Sequence, residues 1–263
     1  MPRRWTKTEE DEKRKQLRNL YVEQNQTIAQ IAKLIHCGET TIYDRLVRLG
    51  IPISRSTKAR YNNQRINISI PEPSADLAEF IGLLLGDGHL TPTQVTVTLG
   101  KKDQYATAVR ELIERLFGIT PKSVFSKKGD ETIYFGSTVI VRWLLAMGLA
   151  KNKVRAQVSV PAWILRSEQY TRAALRGLFD TDGSVYRVRS GLQISFTNHS
   201  RPLLIMVRNM LQNLHFHPSQ VSGPRLYLTR KEDCARFFRE IGFKNQKHQE
   251  RFYNFSKQLG RVV

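Results

Sequence analysis

The chain is short of cysteine and of acids, and it has no long apolar run. With only Cys37 and Cys234 in 263 residues, it can build neither a disulfide scaffold nor a zinc knuckle. No apolar stretch approaches the ~18–20 residues that a membrane-spanning helix needs. The mixed-charge N-terminus has no apolar signal segment. A soluble intracellular protein is expected, cytoplasmic or nucleoid-associated, with no membrane partner. Acids are outnumbered, with 23 Asp and Glu against 42 Lys and Arg and a formal net charge of +19. A sequence pI near 10.2 is the electrostatic footprint of a nucleic-acid binder, because neutralising phosphates supplies most non-specific affinity. The excess lies on both sides of residue 70, so two parts of the chain can touch phosphate. The length suits two domains.

Residues 1–54 read as a small helical module. A helix from about Thr8 to Gln24 puts Leu17, Leu20 and Tyr21 on one face. A short helix follows, with Ile28, Ile31, Ala32 and Ile35 inward. After a tight turn at His36-Cys37-Gly38, a third helix from about Glu39 to Leu49 buries Ile42 and Leu46. This is helix-turn-helix spacing, in which the second helix of the pair enters the major groove. His36 stands where glycine is usual, and histidine tolerates positive φ better than a β-branched residue does. The outward positions Thr40, Thr41, Tyr43, Asp44, Arg45 and Arg48 are the candidate base readers. Residues 55–74 are basic and polar, end in Pro71 and Pro73, and read as a linker.

From Asp76 onward a coarse pattern occurs twice. In residues 75–150 an apolar helix ends in Gly-Asp-Gly. "QVTVTL" then alternates as a strand, 103–117 is a helix, "SVF" and "TIYFG" are strands, and 138–149 is a helix. A linker over 151–167 contains Pro161. In residues 168–263 a helix over 168–183 ends in Asp-Thr-Asp-Gly. "LQISFT" is a strand, 201–214 a helix, "SQVS" and "RLYLT" strands, and Glu232 to Ile241 a helix, followed by a C-terminal extension. The fold class is α+β, with two pseudo-symmetric αββαββα halves after an all-α module.

The two repeated helices share a ridge of small residues, Ala78-Gly82-Gly86 in one and Ala173-Gly177-Thr181 in the other. Such ridges let helix backbones approach closely. If the helices pair, their C-terminal ends meet and bring Asp87 toward Asp182. A helix C-terminus already carries partial negative charge, so two carboxylates there need a cation. A divalent metal with oxygen ligands supplies it. The aromatics Phe80, Phe179 and Phe237 read as core.

"FIGLLLGDG" (80–88) and "LRGLFDTDG" (175–183) resemble the paired motifs of LAGLIDADG homing endonucleases, in the single-chain form with two motifs. The resemblance covers about 75–245. It implies that the motif helices form the interface between halves and that four-stranded sheets form a saddle over DNA. It also implies that Asp87 and Asp182 bind Mg²⁺ (or Mn²⁺ in vitro), helped by the carbonyls of Gly86 and Thr181. Leu85 stands where the second motif has Asp180, so Asp180 is expected to cap or support rather than bind metal. The family's basic partner falls at Lys101, with Lys102 beside it; the matching place in the second half offers Asn198 and His199. Metal-assisted hydrolysis with one cut per strand follows from this arrangement, with basic groups stabilising transition-state charge. Base reading falls to outward strand residues: Thr96, Thr98, Lys127, Tyr134, Gln193, Ser195, Arg225 and Tyr227.

The leading expectation is a monomeric, site-specific, Mg²⁺-dependent double-strand DNA endonuclease. Two other readings use the same basic fold: a DNA-binding regulator with no catalysis, and a maturase acting on intron RNA. The chain begins Met-Pro-Arg-Arg and ends Gly-Arg-Val-Val. With no splice-junction nucleophile or His-Asn end in view, an intein is not expected.

Overall fold

The computed structural model describes residues 5–54, 57, 68–100, 104–189 and 191–258. They belong to two units, Met1–Ile66 and Asn67–Val263. Most of the expected linker lies outside the described residues.

In the first unit, α1 (Lys7–Arg18) starts at a capping box, where Thr6 accepts from the Glu9 amide and Glu9 accepts from the Thr6 amide. This reciprocal bonding satisfies two otherwise orphaned donors. The helix runs on through a π turn, Asn19–Glu23. A second capping box, Thr27 with Gln30, opens α2 (Ile28–Leu34). His36 takes φ 53° in the turn, and α3 (Glu39–Arg48) follows. Leu17, Leu20, Ile28, Ile31, Ala32, Ile42 and Leu46 form the core, with Tyr21 and Ile35 partly buried against it. Tyr43 is a correction: it is buried in that core and presents no reading surface. Its position one residue after Ile42 widens the apolar face of α3 beyond the expected stripe.

In the second unit, α4 (Ala75–Gly86) is N-capped by Ser74, whose hydroxyl accepts from the Leu77 amide. Its residues 77–85 are all buried. It leads into β1 (Gly88–Leu90), β2 (Gln94–Leu99), α5 (Tyr105–Phe117), β3 (Lys122–Phe125), β4 (Glu131–Gly136) and α6 (Thr138–Ala146). The four strands form one antiparallel sheet in the order β1-β2-β4-β3. Val95, Val97, Leu99, Ile133 and Phe135 face the core. Thr96, Thr98, Thr132 and Tyr134 therefore share the open face, since successive strand residues alternate, which is the phase expected from sequence.

The stretch 151–167 is more than a linker. It holds the short helix α7 (Lys153–Ala156) and a 3₁₀ turn, Ala162–Arg166. Then come α8 (Glu168–Asp182), β5 (Gly183–Val188), β6 (Gly191–Thr197), α9 (Arg201–Asn213), β7 (Arg225–Leu228), α10 (Lys231–Glu240) and α11 (Gln246–Gln258). The second sheet has three strands among the described residues, in the order β5-β6-β7. "SQVS" does not form the expected fourth strand. Ser219 runs beside Tyr227, but its own hydroxyl takes the Tyr227 amide, leaving only the Ser219 amide on the Tyr227 carbonyl and a bridge between Ser222 and Arg225. A side chain thus substitutes for the ladder.

Helices α4 and α8 pack on each other along the small-residue ridge. A Cβ on Gly82 would overlap the Ala174 carbonyl, and one on Gly177 would overlap the Glu79 carbonyl. The crossing is closed to any larger residue. Phe80 packs edge-on to Phe117, and Phe179 packs against Phe196 and Phe237. The three aromatics read as core are fully buried.

Candidate active site

Each sheet starts where its central helix ends, so the helix pairing decides what meets. A Cβ on Gly86 would overlap the Thr181 hydroxyl and come within 3.5 Å of the Asp182 carboxyl carbon. The C-terminal ends of α4 and α8 therefore converge as the ridge predicts. The negative charges of Asp87 and Asp182 act on one another across the gap, and both act on Lys153. Asp87 is exposed and Asp182 half-buried. Burial pushes the Asp182 carboxyl up to about 7; Asn198 pulls it down, Asp87 pushes it up, and Lys153 pulls it down. A desolvated carboxylate facing a second negative charge favours a cation beside it.

Lys153 was not expected here. Its ammonium donates to the carbonyl of Leu84 at 3.1 Å and, in a short contact, to the carbonyl of Gly86. Those are unsatisfied carbonyls of the last turn of α4. Burial lowers the Lys153 pKa, against the pull of Asp182 and Asp87. The signal that could have found it is a repeat after the last helix of each half. "GLAKNK" (148–153) and "GFKNQK" (242–247) both open on a positive-φ glycine, Gly148 and Gly242. In the second half Lys244, Asn245 and His248 reach the motif helix, the His248 ring bonding the carbonyl of Asp180.

Asn198 is at the site, and its amide donates to Asp182 Oδ2 at 2.6 Å. His199 is exposed next to it. Asp180 turns away. Buried, its carboxylate accepts from the Lys244 and Asn245 amides at 3.0–3.1 Å, while the Asn245 side chain donates to the Asp180 carbonyl. It caps the entry to α11, a supporting role consistent with the sequence reading. Thr181 donates back to Gly177 and Leu178, which leaves its own carbonyl at the helix end. Lys101 and Lys102 lie outside the described residues.

Among the described residues no group of three or more His, Cys, Asp or Glu is placed to hold a metal. What the site offers is two carboxylates and helix-end carbonyls, an all-oxygen set suited to a hard divalent cation. The raised Asp182 and an ammonium lodged on the Gly86 carbonyl both fit a place made for positive charge. Gly86, Thr181, Asp87 and Asp182 could hold it.

Further out, Thr98, Lys127 and Arg225 are exposed, and Thr96, Gln193 and Tyr227 are half-buried on open faces. Ser195 is a correction: it shares the open face but is buried and hydrogen-bonded to Tyr186. In the first unit Thr40, Thr41, Asp44 and Arg48 are exposed. The guanidinium groups of Arg45 and Arg48 lie 5.3 and 5.0 Å from the centre of the Trp5 ring.

A family model describing the LAGLIDADG-like domain matches residues 169–242. The chain carries a LAGLIDADG-like domain. That domain spans α8, with its Asp182, through α10. The replication factor C small subunit of Methanocaldococcus jannaschii is 33% identical over 112 residues, 42% of this chain and 6% of that protein. The DNA polymerase of Thermococcus kodakarensis is 27% identical over 192 residues, 66% of this chain and 10% of that protein. The chain thus spans only a small part of the curated relatives it matches. Among solved structures, I-DmoI in complex with DNA and Mn superposes with a TM-score of 0.47 at 18% identity, covering 64% of this chain and 96% of that one. The N-terminal LAGLIDADG domain of DUF199/WhiA gives 0.48 at 14%, covering 74% and 97%.

Proposed function

We propose that the chain is a site-specific endonuclease that cuts both strands of duplex DNA with Mg²⁺, Mn²⁺ substituting in vitro. The observation that carries this is the convergence of Asp87 and Asp182 at the paired ends of α4 and α8, with the charge of Lys153 acting on both. A fold hosts many functions, and the site distinguishes among them. A divalent metal bound by these oxygens would polarise the scissile phosphate and lower the pKa of water.

The chain's own groups divide the remaining work. Asp87 and Asp182 supply negative charge that a cation beside them would stabilise. Asn198 holds one oxygen of Asp182, fixing the rotamer of that carboxylate. Lys153, tethered by helix-end carbonyls, stabilises charge that develops on phosphate oxygens. The halves are unequal, an ammonium on one side and Asn198 with His199 on the other, so the two strands are cut at different rates. Lys101 and Lys102, with the open sheet faces, serve as further phosphate and base contacts. The first unit adds affinity by placing α3, with Thr40, Thr41, Arg45 and Arg48, in a groove. The protein acts as a monomer, because both carboxylates are on one chain.

The test is cleavage of a randomised duplex library by the purified chain with Mg²⁺, followed by sequencing of the cut ends. A discrete site cut on both strands is expected. Binding with no cutting at any site would favour the regulator reading, and selective binding of RNA the maturase reading.

A further inference from the structure

The crossing of α4 and α8 is nearly symmetric in its backbone and asymmetric in its charges. With the motifs superposed, 80–88 on 175–183, Gly82 corresponds to Gly177, Leu83 to Leu178 and Glu79 to Ala174. The close approaches obey that correspondence. Gly82 meets the backbone of Ala174 and Leu178, and Gly177 meets the backbone of Glu79 and Leu83. A local two-fold therefore relates the helices, and the same small-residue ridge would suit α4 to the α4 of a second copy.

Glu79 breaks the symmetry. It is 3% exposed, and its carboxylate lies 3.4 Å from Arg176 Nε and 2.6 Å from Lys244 Nζ. Both cations come from the second half. At the corresponding places the first half has Ile81 for Arg176 and, counting from Gly148 and Gly242, Ala150 for Lys244. An α4–α4 pair would thus bury two carboxylates against isoleucine, and an α8–α8 pair would set two guanidiniums against Ala174. A buried charge stripped of its partner is strongly destabilising, even where the intact pair adds little. The pair is poorly made for stability, because Arg176 Nε is buried with no hydrogen-bond partner. Its effect falls on which helices can pair.

We infer that Glu79, with Arg176 and Lys244, is a pairing code that admits α8 to the face of α4 and excludes a second α4. The first half is synthesised before the second, so its ridge faces other copies until α8 arrives. A buried carboxylate that needs the second half's cations closes that route. The code brings unlike helix ends together, Asp87 from one half and Asp182 from the other, whatever chemistry they perform.

The test uses full-length Glu79→Arg and Arg176→Glu, each alone, mixed, and combined in one chain. Each single variant sets like charges across the crossing and should unfold at a lower urea concentration than wild type. Co-refolded in equal amounts, the two can match charges by exchanging halves, α4 of each against α8 of the other. Two clashes are then relieved by one association. Sedimentation should show a species of twice the monomer mass in the mixture and in neither variant alone. The combined variant, with its pair reversed and the 34% exposed Lys244 free to turn to solvent, should be monomeric. Its urea midpoint should lie above those of both single variants. The mixture and the combined variant decide even where a single variant fails to fold. Wild-type midpoints in the single variants, a mixture that stays monomeric, or dimers of either variant by itself would overturn the inference. DNA cleavage is no part of the readout, so the proposed function stands or falls separately.

Discussion

Lys153 joins elements far apart in sequence, for its ammonium sits on carbonyls of α4 sixty-seven and sixty-nine residues earlier. A lysine that only contacted DNA backbone would be exposed and freely hydrated; this one is desolvated beside two acids. Lys153→Met should lower the cleavage rate on a selected site about 10²–10³-fold, the usual cost of one transition-state donor, with DNA affinity nearly unchanged in a binding titration. Equal losses of rate and affinity would make it a phosphate contact only. His248, near the corresponding place in the second half, behaves differently. Burial lowers its pKa to about 4, helped by Arg251 and Lys247, and Nδ1 has no partner. The unfolded chain takes up a proton near pH 6.5, whereas the folded chain resists until about 4. The stability that neutral His248 contributes is thus fully present above pH 6.5 and is lost as pH falls to about 4. The loss is on the order of 3 kcal/mol. His248→Asn should flatten the fall of Tm across that window; an identical pH profile would refute the buried neutral ring.

At the scale of elements, the paired helices were legible because small residues at a spacing of four occur twice and the aspartates follow both. Strand phase was legible too: Val95, Val97, Ile133 and Ile194 point inward, as alternation requires. What was not legible depended on side chains competing with backbone. Ser219 takes an amide that a fourth strand would have used. Tyr43 reads as an amphipathic surface residue until its burial is seen. α11 was missed because "QKHQERFYNFSKQ" is rich in polar residues, and its start is set from outside by Asp180. Lys153 was missed because the stretch after Gly148 has no periodicity to place it. The helix crossing itself is testable. Gly177→Ala would gain ~1 kcal/mol in helix propensity, but the added Cβ overlaps the Glu79 carbonyl and the Leu83 amide. Overpacking against backbone, at about 3 kcal/mol or more, outweighs that gain and should appear as a lower urea midpoint. A raised midpoint would contradict the close approach of α4 and α8.

At the level of the whole molecule, a basic chain carries two aspartates at the paired ends of α4 and α8. The net charge of +19 suits a nucleic-acid partner, and against that charge the meeting of two helix ends brings Asp87 and Asp182 together. Pseudo-symmetry puts one aspartate in each half, which matches the antiparallel strands of a duplex. The unequal surroundings, Lys153 on one side and Asn198 on the other, fit an asymmetric target. In the proposed function Asp87 and Asp182 together form the catalytic metal site. Strand-resolved cleavage of a selected duplex in Mg²⁺ by Asp87→Asn and Asp182→Asn tests it most directly, alongside a binding titration of the same variants. Neither variant should make a double-strand cut, and both should still bind the site. Full double-strand cleavage by either one would contradict it.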